Sequence, residues 1–237
     1  MDRLKARVQQ YEDDYRKFGY SPEALTMPSD RRNIRYYELI KNFTFFYDKS
    51  VEFTILDAGC GFADILNYFE AIGIRNYRYI GLDLVDGFLD KANELHGNDE
   101  RVIILKRNFF KDDLSDLVYD YAISSQAFNN PYSDEPNNMS IIKGFMKEMF
   151  DNCKKGIAFN FVIDRVEERR QGIAYHDPIE IMKYAYSFTN NVVMDNSCMP
   201  FECTCTMLKE TANGKIWKSF AEKHRQDFDG GLFVVRE

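Results

Sequence analysis

The run Phe53-Thr54-Ile55-Leu56 followed by Asp57-Ala58-Gly59-Cys60-Gly61 constrains this chain more than any other stretch. Apolar and β-branched residues in sequence read as a buried strand, and glycines at alternate positions read as a tight turn. A helical pattern then runs from Phe62 to about Ile72 and is stopped by Gly73. A strand, a glycine turn and a helix in that order begin a βαβ unit, which needs a parallel neighbouring strand.

The alternation continues. Strands are expected at 77–83, 101–106, 119–124 and 156–163, and helices at 87–95, 139–152 and 178–188, the last with proline in its first turn. Two further strands, 191–196 and 201–208, are separated only by Ser197 to Pro200. So short a link cannot make a parallel crossover, so this pair must be antiparallel. The expectation is an α/β fold with a doubly wound, mostly parallel sheet. Ahead of it, residues 1–18 read as a helix with Leu4, Val8, Tyr11 and Tyr15 on one face, and 19–28 as a loop. A second helix is expected over 30–46, capped by Ser29 or Asp30 and carrying Ile34, Tyr37 and Ile40 as its apolar stripe. Residues 211–237 form a charged appendage, with a helix and a short strand at 232–235. The chain thus divides into an N-terminal helical cap or lid (1–48), a central domain (49–210) and a C-terminal extension (211–237).

Composition excludes several function classes. No apolar run approaches the roughly 20 residues of a membrane span. The charged N-terminus lacks the apolar core of a secretory signal, so a cytoplasmic location is expected. The five cysteines are an odd number, which argues against a disulfide framework. Cys203 and Cys205 share one face of a strand with no histidine nearby in sequence, and read as buried thiols; no metal site is expected. A net charge of −7 disfavours nucleic acid as a partner. The stretch 165–170 mixes signs and reads as solvated surface.

The glycine turn is the candidate ligand site, because doubly wound sheets bind ligands at the carboxyl ends of their strands. A dinucleotide fingerprint would place a third glycine at position 64, where this chain has Asp64. A carboxylate there competes with a pyrophosphate for the N–H groups that open the helix. Asp57 adds a second negative charge. The turn is therefore better made for a cation than for a phosphate, which weighs against an NAD-linked oxidoreductase. Asp83, at the end of the next strand, is placed to accept from both hydroxyls of a ribose.

Together, ILDAGCGFADI and YIGLDLVDGFLDKA resemble motif I and the second-strand acid of class I S-adenosylmethionine (SAM)-dependent methyltransferases. The resemblance spans roughly residues 50–165, and more weakly to about 209. It implies a seven-stranded sheet with the last strand antiparallel, with SAM as cofactor and S-adenosylhomocysteine (SAH) as product. It places Asp57, Gly59, Cys60 and Gly61 around the methionine moiety, Asp83 on the ribose and Leu84 against the adenine. Asn108 would meet the adenine amino group and the Phe109 backbone N–H a ring nitrogen. Ser125 and Gln126 would line the pocket. Two departures are Ala63 in place of the usual third glycine, and Asn108 in place of the usual Asp. Arg35 lies in a segment resembling a pre-domain helix whose arginine reaches the SAM carboxylate; a surface salt bridge is the alternative.

Methyl transfer from a sulfonium asks the protein mainly to position and desolvate, with a base needed only for some acceptors. His176 and Tyr132 are the candidate catalytic side chains, with Tyr175 as a further pocket wall. For His176 the alternative is a brace for its own loop. Asn129-Asn130-Pro131-Tyr132 lacks the second proline of the amino-group methylases and lies several residues past Ser125, so it reads as a substrate loop. A small-molecule acceptor is expected. Protein or RNA methylation, or SAM binding without catalysis, are the alternatives.

Overall fold

The computed structural model describes residues 3–26, 31–132 and 138–209. The expected C-terminal extension (211–237) and the capping residues Ser29 and Asp30 lie outside them. Three helices lead the chain: α1 (Arg3–Phe18), α2 (Arg32–Ile40) and the single turn α3 (Thr44–Tyr47). The domain proper follows as β1 (Phe53–Ala58), α4 (Ile65–Ala71), β2 (Tyr77–Asp83), α5 (Asp86–His96), β3 (Val102–Lys106) and β4 (Tyr121–Ser124). It ends with α6 (Met139–Asn152), β5 (Gly156–Val162), α7 (Pro178–Ala185), β6 (Asn191–Asp195) and β7 (Glu202–Leu208).

The strands form one seven-stranded sheet in the order β3-β2-β1-β4-β5-β7-β6. Strands β1 to β5 pair in parallel, whereas β7 runs antiparallel to both β5 and β6. This is the expected doubly wound fold with its last strand reversed. The strand order turns around between β1 and β4, so the carboxyl ends of β1 and β4 flank a crevice.

Side chains alternate across the sheet with period two. Leu56, Ala122, Ile157 and Phe159 face α6 and α7, packing against Ile142, Phe145, Met149 and Ile181. Ile55, Tyr121, Ile123 and Ala158 face the other way, onto Leu39 and Ile40 of α2 and Leu66 and Phe69 of α4. Both faces are buried, which is why the strands read as continuous apolar runs. Cys203 and Cys205 are buried free thiols in β7.

The N-terminal region departs from expectation in two ways. The second helix does not run to 46; it stops at Ile40, because Phe43 and Phe45 turn inward to stack on Tyr121 and Phe53. Its buried face is not Ile34-Tyr37-Ile40 either. Ile34 and Tyr37 are each 39% exposed, and the helix instead buries Arg35, Tyr36, Leu39 and Ile40. The rotation is fixed by Arg35, whose guanidinium finds a buried carboxylate on β7, a partner that apolar periodicity does not register.

Candidate functional site

A cavity of about 520 Å³ opens at the carboxyl ends of β1, β2 and β4. The turn after β1 forms its floor. Gly59 has φ +82° and Gly61 φ +55°, left-handed conformations that a residue without Cβ adopts readily. Ala63 also sits at φ +58°, the strained version of the same bend. Helix α4 begins only at Ile65, later than the sequence suggests, because the turn consumes these extra residues.

Two acids stand beside this turn, and one of them is bonded to it. Asp83 accepts from Gly61 N–H at 2.9 Å, which joins the glycine turn directly to the end of β2. Its other oxygen accepts from Leu84 and Val85 N–H at 2.7 and 3.1 Å. Burial raises its pKa, and these backbone donors oppose the rise. Asp57 is 5% exposed. One of its oxygens accepts from Tyr79 Oη at 2.8 Å, and the other is buried without a partner. Burial pushes Asp57 up to about 7, and the neighbouring Asp83 charge adds to the rise. A buried carboxylate with an unused oxygen on a cavity wall is a receptor for a cationic donor.

Asp64 has a different part from the one its position suggests. It does not cap its own helix. It accepts from Tyr20 Oη at 2.6 Å and from Arg32 Nη1 at 2.7 Å, and so fastens the N-terminal segment and α2 to the glycine turn. The carboxylate still occupies the position where a pyrophosphate would need a free helix N-terminus.

A second charged group lies across the cavity. Arg35 is 4% exposed and donates Nε to Glu202 Oε1 at 2.8 Å and Nη2 to Oε2 at 2.9 Å. With its amide oxygen turned to the guanidinium, Gln126 accepts from Arg35 Nη1 at 2.6 Å. Gln126 has φ +61°, and its N–H donates to Asn160 Oδ1 at 2.6 Å. Helix α1 supplies another wall through Arg7, Val8 and Tyr11, its Tyr15 packing on Phe62 and Phe88.

Residues 56–156 match the family model described as a methyltransferase domain. The chain carries a SAM-dependent methyltransferase domain. Solved structures share its fold. The N-methyltransferase NodS from Bradyrhizobium japonicum WM9, solved with SAH, aligns with TM-score 0.58 at 11% identity over 89% of this chain and 100% of its own. A putative methyltransferase in complex with the Haloferax volcanii activator Trm112 aligns with TM-score 0.57 at 14% identity, over 85% and 96%. A SAM-dependent methyltransferase from Aquifex aeolicus aligns with TM-score 0.50 at 15% identity, over 88% and 98%. No curated protein matches the chain by sequence.

The methyltransferase brings most of the expected residues to one cavity. Arg35, Asp57, Gly59, Cys60, Gly61, Asp83, Leu84, Phe109, Ser125, Gln126 and Tyr132 all line it, as does Tyr175. Asn108 is not on the wall. Its side-chain oxygen accepts from Phe110 N–H at 3.0 Å and its own N–H donates to Asp112 at 2.7 Å, so the amide is spent on the local turn. His176 is not on the wall either, and cannot act there as a base or substrate ligand. It is fully buried, and Nε2 donates to the Phe128 carbonyl at 2.9 Å. Its backbone bridges to Ile163 and its ring packs edge-on against Phe161, so it braces the connection after β5. The stretch 165–170 is mostly exposed, but it is not surface alone: Val166, Glu168 and Arg170 also line the cavity.

Glu202 and Tyr11 line the cavity without having been singled out as site residues, and Asn130 of the expected substrate loop joins them. No local signal marks Glu202, which reads as one more position in an apolar strand. Tyr11 belongs to an apolar helix face that packs on Phe88 and also borders the cavity. Among the described residues no helix is long and apolar enough to cross a membrane.

Proposed function

We propose that this methyltransferase transfers the SAM methyl group to a small-molecule acceptor held inside the cavity, with α1 and α2 as its lid. The observation that carries the acceptor class is the convergence of side chains on the pocket above the glycine turn. Side chains from α1, from α2 and from the connections after β4 and β5 face the same 520 Å³ space as Asp57 and Asp83. These walls make a pocket that takes a compact acceptor beside the cofactor. The aromatic walls, Phe110, Tyr132 and Tyr175 among them, suit a compact organic molecule.

The residues present fit the cofactor. The unpartnered Asp57 oxygen would take the α-ammonium, and Arg35 with Gln126 the carboxylate. Asp83 would accept from the ribose hydroxyls, and Leu84 would pack on the adenine. The Phe109 backbone N–H and Ser125 would complete the wall. Gly59, Cys60 and Gly61 let backbone approach the methionine closely. When bound, SAM supplies a methyl group on a sulfonium, activated for in-line displacement. The chain contributes position and exclusion of water: Asp64 and Arg32 hold the turn, and α1 and α2 shield it. Tyr132 is no base at neutral pH, since burial pushes its phenol well above the ordinary value. It acts as a hydrogen-bond donor.

Thermal unfolding with SAM, SAH and NAD tests the cofactor reading. A ligand at about 100 times its dissociation constant adds about 2.7 kcal/mol and moves the midpoint by several degrees. SAM and SAH are expected to do so and NAD is not. Incubation of a cell extract with SAM labelled on its methyl group then tests the acceptor class. Label in the low-mass fraction supports the proposal, and label confined to protein or RNA overturns it.

A further inference from the structure

We infer that Tyr11, Asn130 and Tyr132 form an anchor for a carboxylate on the methyl acceptor, so that the acceptor is a small organic acid bound as its anion. This rests on reading the cavity as the site of methyl transfer, and adds the chemical class of the acceptor.

Asn130 Nδ2 donates to Tyr11 Oη at 3.0 Å and to Tyr132 Oη at 3.2 Å. An amide nitrogen has two hydrogens, and here each goes to one phenol oxygen. Both hydroxyls therefore accept from Asn130 and keep their own hydrogens. Among the described residues neither hydroxyl donates to a protein group. All three side chains line the cavity, so that is where the two O–H groups are free to donate.

The arrangement is held rigidly. Asn138 Nδ2 donates to the Asn130 carbonyl, and Asn138 Oδ1 accepts from Tyr132 N–H at 3.0 Å. On the other side Asn129 Oδ1 accepts from Val162 N–H at 3.0 Å, pinning the segment to β5. Burial keeps Tyr132 protonated.

The local charge agrees. Arg7, one turn before Tyr11, lines the cavity with its guanidinium 5.8 Å from the Tyr11 ring centroid; the charges of both Arg7 and Asp83 reach Tyr132, and that of Asp83 is already engaged by three backbone N–H groups. Of the described wall carboxylates, Asp64 and Glu202 are paired with arginines, Asp83 is tied to the glycine turn, Asp57 accepts from Tyr79 and keeps one oxygen for the cofactor ammonium, and Glu168 is exposed. Two O–H donors held on one amide nitrogen, with a guanidinium on the same wall, match the lone pairs of a carboxylate. An ammonium would meet Arg7 and two phenol oxygens that already accept. The Phe110 ring, 5.2 Å from that of Tyr132, offers an apolar frame for the carbon skeleton.

Calorimetric titration of the full chain, saturated with SAH, tests this with benzoate, benzamide, benzyl alcohol and benzylamine as probes. Benzoate should bind about 10- to 100-fold more tightly than the others, the range for hydrogen bonds to a charged group. The double variant Tyr11→Phe/Tyr132→Phe keeps both rings and should lose that preference. Asn130→Asp accepts both phenol protons, and should invert the order in favour of benzylamine. Benzoate that binds no better than benzamide, or not at all, overturns the anchor. So does a preference that survives in the double variant, or a loss there of SAH affinity with the preference intact, which would put the phenols on the cofactor. Wild-type chain that fails to bind SAH overturns the methyl-transfer reading itself, whereas SAH binding without benzoate preference overturns the anchor alone.

Discussion

Asp57→Asn should make the free protein more stable while weakening its hold on cofactor. The folded-state pKa of Asp57 is about 7, against an ordinary value of 3.8. Between these values the folded chain holds a proton that the unfolded chain has released. The contribution of this group to stability is therefore fully present below about pH 4 and is lost as pH rises through about 7. The difference of 3.2 units, at 1.36 kcal/mol each, sets an upper bound of about 4 kcal/mol at pH 8. Asparagine removes the buried charge and can still accept from Tyr79 through its amide oxygen. Urea unfolding should show the variant matching wild type at pH 4 and exceeding it by up to about 4 kcal/mol at pH 8. Binding should move the opposite way. The ammonium needs the ionised carboxylate, so wild-type SAH affinity should fall about 25-fold from pH 7.5 to 5.5. The variant should bind about 10- to 100-fold more weakly at pH 7.5, with a much flatter pH profile. Calorimetry over that range checks this. Wild-type affinity and an unchanged pH profile in Asp57→Asn would refute the assignment of the ammonium to this residue.

Asp83→Ala removes the acceptor of three backbone N–H groups as well as the proposed ribose contact; SAH affinity should drop at least about 100-fold, read by calorimetry on folded variant. Glu202→Met strands the buried Arg35 guanidinium and should cost about 3–5 kcal/mol in urea unfolding, whereas Arg35→Met/Glu202→Met should recover most of that loss and still bind SAH poorly. His176→Leu should cost about 1–3 kcal/mol by removing the donor to the Phe128 carbonyl, with SAH affinity unchanged; a large loss of affinity would return His176 to the site.

The expected sheet and the observed one agree because their determinants are local. Strand and helix periods, the glycines of the turn after β1 and the short link before β7 are all read within short windows. The two acids were legible for the same reason, each ending a strand whose carboxyl end faces the crevice. Elsewhere local reading failed. Asn108 follows β3 at the right position, yet its amide bonds its own turn, a choice made by competition among nearby N–H groups. His176 has the chemistry of a base, but the bridge beside Ile163 turns its ring into the core. The face buried by α2 was misjudged because Arg35 and Glu202 are 167 positions apart, and their pairing outweighs the apolar stripe.

The sequence by itself determined the fold, the glycine turn and the placing of Asp57 and Asp83 at strand ends beside it, because backbone conformation and strand burial are encoded by neighbouring residues. Only the tertiary structure decided which side chains share the cavity. Tyr11 meets Asn130 across 119 positions, and Arg35 meets Glu202 only once β7 has inserted between β5 and β6. The partner of a polar side chain is set by packing at a distance, and no periodicity in the chain records it.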